Sequence, residues 1–128
     1  NINQSWFTYY WTYNTDMKLL LSAILFPILS LAEFKKLYQD KYCQGIKKYA
    51  LADKTGVGCV TDTHAIEYDF AKKWVESIGQ SLGYAFETNK KAEIVLVVEY
   101  SSDYKYLIKL NSIIQHYKLP IDTWFINE

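Results

Sequence analysis

Apolar and polar positions alternate between two periods along most of the chain. "AEFKKLYQDKYCQGI" sets Phe34, Leu37, Tyr38 and Tyr42 at helical spacing, and Gly45 follows as a stop. "KKYALAD" alternates weakly, "KTG" signals a turn and "VGCVT" is a short apolar run, which together predict a hairpin. "HAIEYDF" reads as a third strand, with Ala65, Glu67 and Asp69 on one face and Ile66, Tyr68 and Phe70 on the other. "AKKWVESIGQSLGYAFETN" gathers Trp74, Val75, Ile78, Leu82, Ala85 and Phe86 on one side of a helix, opposite Lys73, Gln80 and Tyr84. The near-continuous apolar run "AEIVLVVE" predicts a strand covered on both faces. "DYKYLIKLNSIIQHYK" is a second amphipathic helix. Tyr106, Leu110, Ile113, Ile114 and Tyr117 form its apolar side, Asp103 is placed to cap its start, Pro120 ends it, and "IDTWFI" is a last strand. The order α-β-β-β-α-β-α-β predicts an α/β fold, a mixed sheet built from a hairpin and crossovers and flanked by helices.

The first quarter breaks this rhythm. "NINQSWFTYYWTYNTD" has neither period, and the only methionine, Met17, follows it. "KLLLSAILFPILSLA" then gives one lysine, an apolar run, and small residues at Ser30 and Ala32. That is the layout of a secretory signal peptide, and the run is shorter than the roughly 20 residues a bilayer span needs. Residues 17–32 are therefore expected to be a signal peptide, with a buried first helix or a single membrane anchor as the alternative. On the signal reading, residues 1–16 are an upstream, non-native or unstructured segment. The mature chain, 33–128, is then a single periplasmic or secreted domain with no stable membrane span.

Composition narrows the function classes. Half of the chain is apolar and 17% is aromatic, which argues against disorder. The formal net charge is zero and every strong cation is lysine, since the chain has no arginine. Bidentate forks onto phosphate or guanine are therefore absent, and any DNA contact must be weak, lysine-mediated and salt-sensitive. In an oxidising compartment Cys43 and Cys59 can pair; the alternative is one buried thiol and one incidental one.

Glu67 and Asp69 are the residues with the clearest chemistry. Two positions apart on a strand, their Cβ atoms lie roughly 6.5–7 Å apart on one face, within reach of a shared hard cation. A Mg²⁺ held there can activate water for phosphodiester hydrolysis. Gln80 and Tyr84 are neighbours at i, i+4 on the next helix. His64 precedes the acids and can act as a base or as a turn residue, and His116 suits a helix C-terminus.

The order helix, hairpin, acidic strand, helix, strand is similar to the αβββαβ core of the PD-(D/E)XK, or restriction-endonuclease-like, superfamily. "GVGCVTDTHAIEYDFAKKWVESIGQSLGYAFETNKKAEIVLVVE" resembles a group of small bacterial proteins of that superfamily that read "VDC-T-THAIE-DFA-KW-EAIGQ-L-YA-TGK". The resemblance implies a Mg²⁺-dependent endonuclease or exonuclease acting on DNA. Glu67 and Asp69 would be metal ligands, Lys73 would activate water or stabilise charge, and Gln80 and Tyr84 would support the site as a QxxxY motif. Two departures matter. Asp69 stands where the motif has its lysine, and Gly58 stands where relatives carry a metal-binding Asp. Asp62 is the nearest acid able to serve as a third ligand. The rival implied by Gly58 is a catalytically inactive nuclease-fold module, binding or structural in role, and an aromatic surface for another exported protein is a third reading. The signal-peptide reading predicts that the secreted protein begins at or near Glu33 on N-terminal sequencing, and a start at Asn1 would refute it.

Overall fold

A computed structural model describes residues 30–52 and 56–127. The readings of residues 1–16 and of nearly all of residues 17–32 lie outside those described. The compact unit Ala32–Glu128 holds every strand among the described residues. Its elements are α1 (Leu31–Tyr42), β1 (Ile46–Ala50), β2 (Gly56–Val60), β3 (His64–Phe70), α2 (Trp74–Thr88), β4 (Lys91–Val98), α3 (Tyr104–Tyr117) and β5 (Ile121–Asn127). Short 3₁₀ turns, Ala71–Lys73 and Ser101–Asp103, lead into α2 and α3. This is the element order that the periodicities predict.

Among the described residues five strands lie in the order β1-β2-β3-β4-β5. The first three form an antiparallel meander, and β4 and β5 continue it in parallel. Antiparallel strands need only a tight turn between them, whereas each parallel step needs a crossover, supplied by α2 and then α3. On one face Ile66, Tyr68, Phe70, Val95 and Val97 pack with Tyr38 and Tyr42 of α1. On the other, Ile94, Leu96 and Val98 pack with α2 and α3. β4 is buried on both faces, as its unbroken apolar run predicts.

Helix orientation departs from the apolar stripes in three places. In α1, Tyr38 and Tyr42 meet the sheet while Phe34 and Leu37 stay exposed. In α2, Val75 and Phe86 are exposed, and Ser77 and Ser81 are fully buried. The two serines satisfy their hydroxyls on the helix itself, Ser77 to the Lys73 carbonyl (3.1 Å) and Ser81 to the Ile78 carbonyl (3.0 Å). They can thus sit at the closest approach to the sheet without an orphaned polar group. In α3, Tyr117 is exposed and its place in the core is taken by Leu107. Asp103 stands at the start of this helix but does not cap it: its carboxylate turns back to accept from the backbone N–H groups of Glu99 (3.2 Å) and Tyr100 (3.1 Å), in the capping box of the preceding 3₁₀ turn, and makes no side-chain bond to the first turn of α3.

Cys43 and Cys59 form a disulfide, which ties the end of α1 to β2. The chain between them turns back through Gly45, where a Cβ would collide with the Val60 backbone. The bond matters because α1 has no fully buried residue of its own. Closing a loop of 16 residues stabilises by about 3 kcal/mol in the chain-entropy treatment. The Cys43→Ser, Cys59→Ser double variant should lose roughly that amount in urea unfolding, and an unchanged midpoint would show that packing alone holds α1.

Candidate functional site

Strands β2 and β3 pair only at Cys59–Ile66 and Val60–Ala65, and beyond these they part. β3 continues beside β4 through all seven of its residues, from His64–Lys91 to Phe70–Val97. Glu67 and Asp69 therefore lie on the stretch of β3 that has lost its β2 neighbour. A cleft of about 130 Å³ opens there, lined by Lys35 and Gln39 of α1, Gly56, Val57 and Gly58 of β2, and Glu67 of β3.

The cleft holds a buried acid with a cation already against it. Glu67 is 1% exposed, and the Lys35 ammonium donates directly to its Oε1. The same ammonium lies 3.8 Å from Asp69 Oδ2, and Asp69 Oδ1 accepts from the Phe70 N–H at 2.9 Å. Burial pushes the Glu67 carboxyl up to about 7; the charge and hydrogen bond of Lys35 pull it down, and Asp69 adds a smaller push upward. Desolvation wins because the lysine neutralises one side of a carboxylate that has no access to water.

Lys35 and Gln39 escape the sequence reading, which looks for the motif's lysine downstream of the acids. Their signal is faint. They sit at i, i+4 beside the Tyr38–Tyr42 stripe, a polar pair on the edge of an apolar face. Gln39 matters because of Gly58. A Cβ on residue 58 would run into the Gln39 carboxamide, so the amide fills the space that a side chain at this position of β2 would need.

The remaining predicted site residues lie apart from this centre. Lys73 is paired with Glu76 on its own helix (3.2 Å), its only ion pair among the described residues. Gln80 is exposed on α2. Tyr84 packs over Leu51, Val57, Val60 and Ala65, so it supports the sheet next to the cleft without lining it. Asp62 is exposed in the β2–β3 turn, beyond the last paired residues, where its carbonyl accepts from Lys90 (2.6 Å). It sits beyond the paired end of β2 and β3, past Val60–Ala65, and does not line the cleft that holds Glu67. His64 opens β3 and bridges Thr63 (2.7 Å) and Asp122 (2.8 Å), a cross-sheet tie remote from the acids.

The donor set can be compared with the Mg²⁺ that the resemblance implies. Two carboxylates converge with one ammonium. Among the described residues no three His, Cys, Asp or Glu side chains come together as metal ligands. A hard divalent cation takes about six oxygen ligands, several of them anionic or carbonyl, and here it would have to displace Lys35 first. The residues present do not fit it. No family model, no curated protein and no solved structure matches this chain.

The raised Glu67 carboxyl has a consequence for stability. A folded state that holds its proton more tightly than the unfolded chain is favoured below the ordinary carboxylate range and loses that advantage as pH rises to about 7. The loss amounts to about 3 kcal/mol. Unfolding free energy should fall across this window, and Glu67→Gln should flatten the slope. A carboxyl titration followed by NMR should show a midpoint near 7, moving higher in Lys35→Met; a midpoint near 4.5 would refute the assignment.

Proposed function

We propose that this domain is a restriction-endonuclease-like module whose cation site is filled by its own lysine, and that it acts as a binding module without metal-dependent hydrolysis. The observation that carries this reading is the Lys35 ammonium bonded to Glu67 and 3.8 Å from Asp69, in the gap between β2 and β3. A tethered ammonium there neutralises the acids as a metal would. It offers no open coordination position and no bound water to activate. The element order and the acidic strand beside a parted neighbour support the superfamily; Gly58 with Gln39 over it supports the loss of the metal. The disulfide supports an oxidising compartment, and so a periplasmic or secreted location. DNA is the ligand that the resemblance suggests, held weakly through lysines.

Hydrolysis is the second reading, and one observation favours it. An acid–lysine pair in a cleft is the minimal set of this chemistry, and Lys35 restores from α1 the lysine that Asp69 displaces on β3. Mn²⁺ titration by calorimetry, together with a nuclease assay in Mg²⁺ or Mn²⁺, separates the two. The wild type should show neither binding nor cleavage. Gly58→Asp combined with Lys35→Ala should gain Mn²⁺ binding, because it frees the two acids and adds a third. Metal-dependent cleavage by the wild type that Glu67→Ala abolishes would overturn the binding-module reading in favour of hydrolysis.

A further inference from the structure

The turn between β2 and β3 carries a second set of reactive groups, on the far side of the paired residues from Glu67. Asp62 and Thr63 form its tip, and the backbones of Thr61 and His64 bond to each other across its base (2.8 Å). Thr63 is held firmly there. Its carbonyl accepts from the Lys91 N–H of β4 (2.9 Å), and Thr61 Oγ1 accepts from the N–H groups of Thr63 (3.3 Å) and His64 (3.0 Å). The Thr63 hydroxyl meets His64 Nδ1 at 2.7 Å, and His64 Nε2 lies 2.8 Å from Asp122 Oδ2 of β5. These two contacts set the direction in which a proton can move. A carboxylate only accepts, so in the neutral imidazole Nε2 carries the hydrogen and donates it to Asp122. Nδ1 then offers a lone pair, and the Thr63 hydroxyl donates to it. Nucleophile, base and orienting acid follow one another in hydrogen-bonded sequence, the arrangement that activates a hydroxyl for acyl transfer. A second carboxylate stands near the imidazole: Glu93 of β4, whose carboxyl is pushed up by burial and drawn down by His64.

Thr63 also lines a cavity of about 640 Å³, together with Ile46 and Tyr49 of β1, Val60 of β2 and Lys90. That volume is in the range of small-molecule sites. The Lys90 ammonium donates to the Asp62 carbonyl at 2.6 Å, next to the nucleophile, and its remaining N–H bonds can turn to an oxyanion. The backbone N–H groups of Thr63 and His64 cannot serve there, because Thr61 already holds them. We propose that Thr63, His64 and Asp122 form an esterase site, at which Thr63 takes up the acyl group of a small carboxylic ester seated in this cavity. Ile46, Tyr49 and Val60 give the acyl chain apolar cover. Thr63 Oγ1 bonds to the acyl carbon as its proton passes to His64 Nδ1. The ester C–O bond then breaks, and the same proton leaves with the alcohol or phenol. Water repeats the exchange on the acyl-threonine, which releases the acid and restores the hydroxyl. The imidazolium formed on the way has Asp122 and Glu93 near it. Asp122 is 68% exposed, so water screens its charge, and the relay suits esters, with their better leaving groups, and not amides. The site needs no metal and is separate from the Lys35–Glu67 cleft.

The test uses the full chain with para-nitrophenyl acetate and butyrate in EDTA, which excludes any metal-dependent reaction at Glu67. The wild type should release an early burst of nitrophenolate approaching one per chain, and peptide mass spectrometry of the quenched protein should place the acyl group on Thr63. Thr63→Val should abolish the burst and Thr63→Ser should keep it. His64→Gln should slow acylation by about a hundredfold. Asp122 is a positioning residue, and Asp122→Asn tests it. The new amide donates to Nε2 and so moves the ring hydrogen to Nδ1, which should slow acylation about tenfold and leave the substrate dissociation constant unchanged. Asp122→Glu should recover part of that loss. Should Thr63→Val fail to fold, the position of the acyl group in the wild type decides. No acylated protein, an acyl group on lysine or tyrosine instead of Thr63, an undiminished burst in Thr63→Val, or unchanged acylation in Asp122→Asn would each overturn the site.

Discussion

A carboxylate shut inside a β-sheet needs a cation, and in this protein it takes one from the helix that covers that part of the sheet. The Lys35–Glu67 pair joins α1 to β3 at the place where β2 turns aside. Once Glu67 is buried, removing the lysine would leave an uncompensated charge, a far larger cost than the pair contributes net. The position of α1 and the chemistry of the cleft are therefore one problem. The helix must lie where its fourth turn-mate, Gln39, also covers Gly58, and where Tyr38 and Tyr42 reach the rings of Phe70 and Trp124.

The disulfide makes that position durable. It joins the residue after α1 to the residue after Gly58, so the cross-link and the cleft share the same short piece of β2. Beside Gly58 the space is taken by two side chains of α1, the Gln39 amide and the Lys35 ammonium on Glu67. A site arranged in this way is electrostatically closed. Its carboxyl still titrates near neutral pH, because one lysine does not offset the loss of water around Glu67.

The proposed cation-filled centre, between β2 and β3, draws on a property of the whole composition. With every strong cation a lysine, charges are placed singly: Lys35 against Glu67, Lys47 at the β1 edge, Lys72 against Glu99. None of these makes the broad basic surface that tight phosphate binding requires.

Local periodicity alone determined the elements of this protein and their order, because each helix and strand had to show an apolar face at its own period. It also singled out Glu67, an acid where a strand should be apolar, and it placed Asp103 at the start of α3, where the carboxylate bonds back to the 3₁₀ turn instead of capping the helix. Periodicity misjudged which flank of a helix faces inward. Val75 and Phe86 are as apolar as Trp74 and Ile78, but the buried Ser77 and Ser81 let α2 approach the sheet on their side. The partners of Glu67 were beyond reach for another reason. Lys35 is 32 residues upstream, on an element whose placement depends on a disulfide and two tyrosines, and no spacing rule links it to β3. Lys73, four residues from Asp69, was the natural guess, yet it turns along its own helix to Glu76. Only the tertiary structure could choose between the two lysines, because an ion pair is decided by which charge the fold carries to a buried acid.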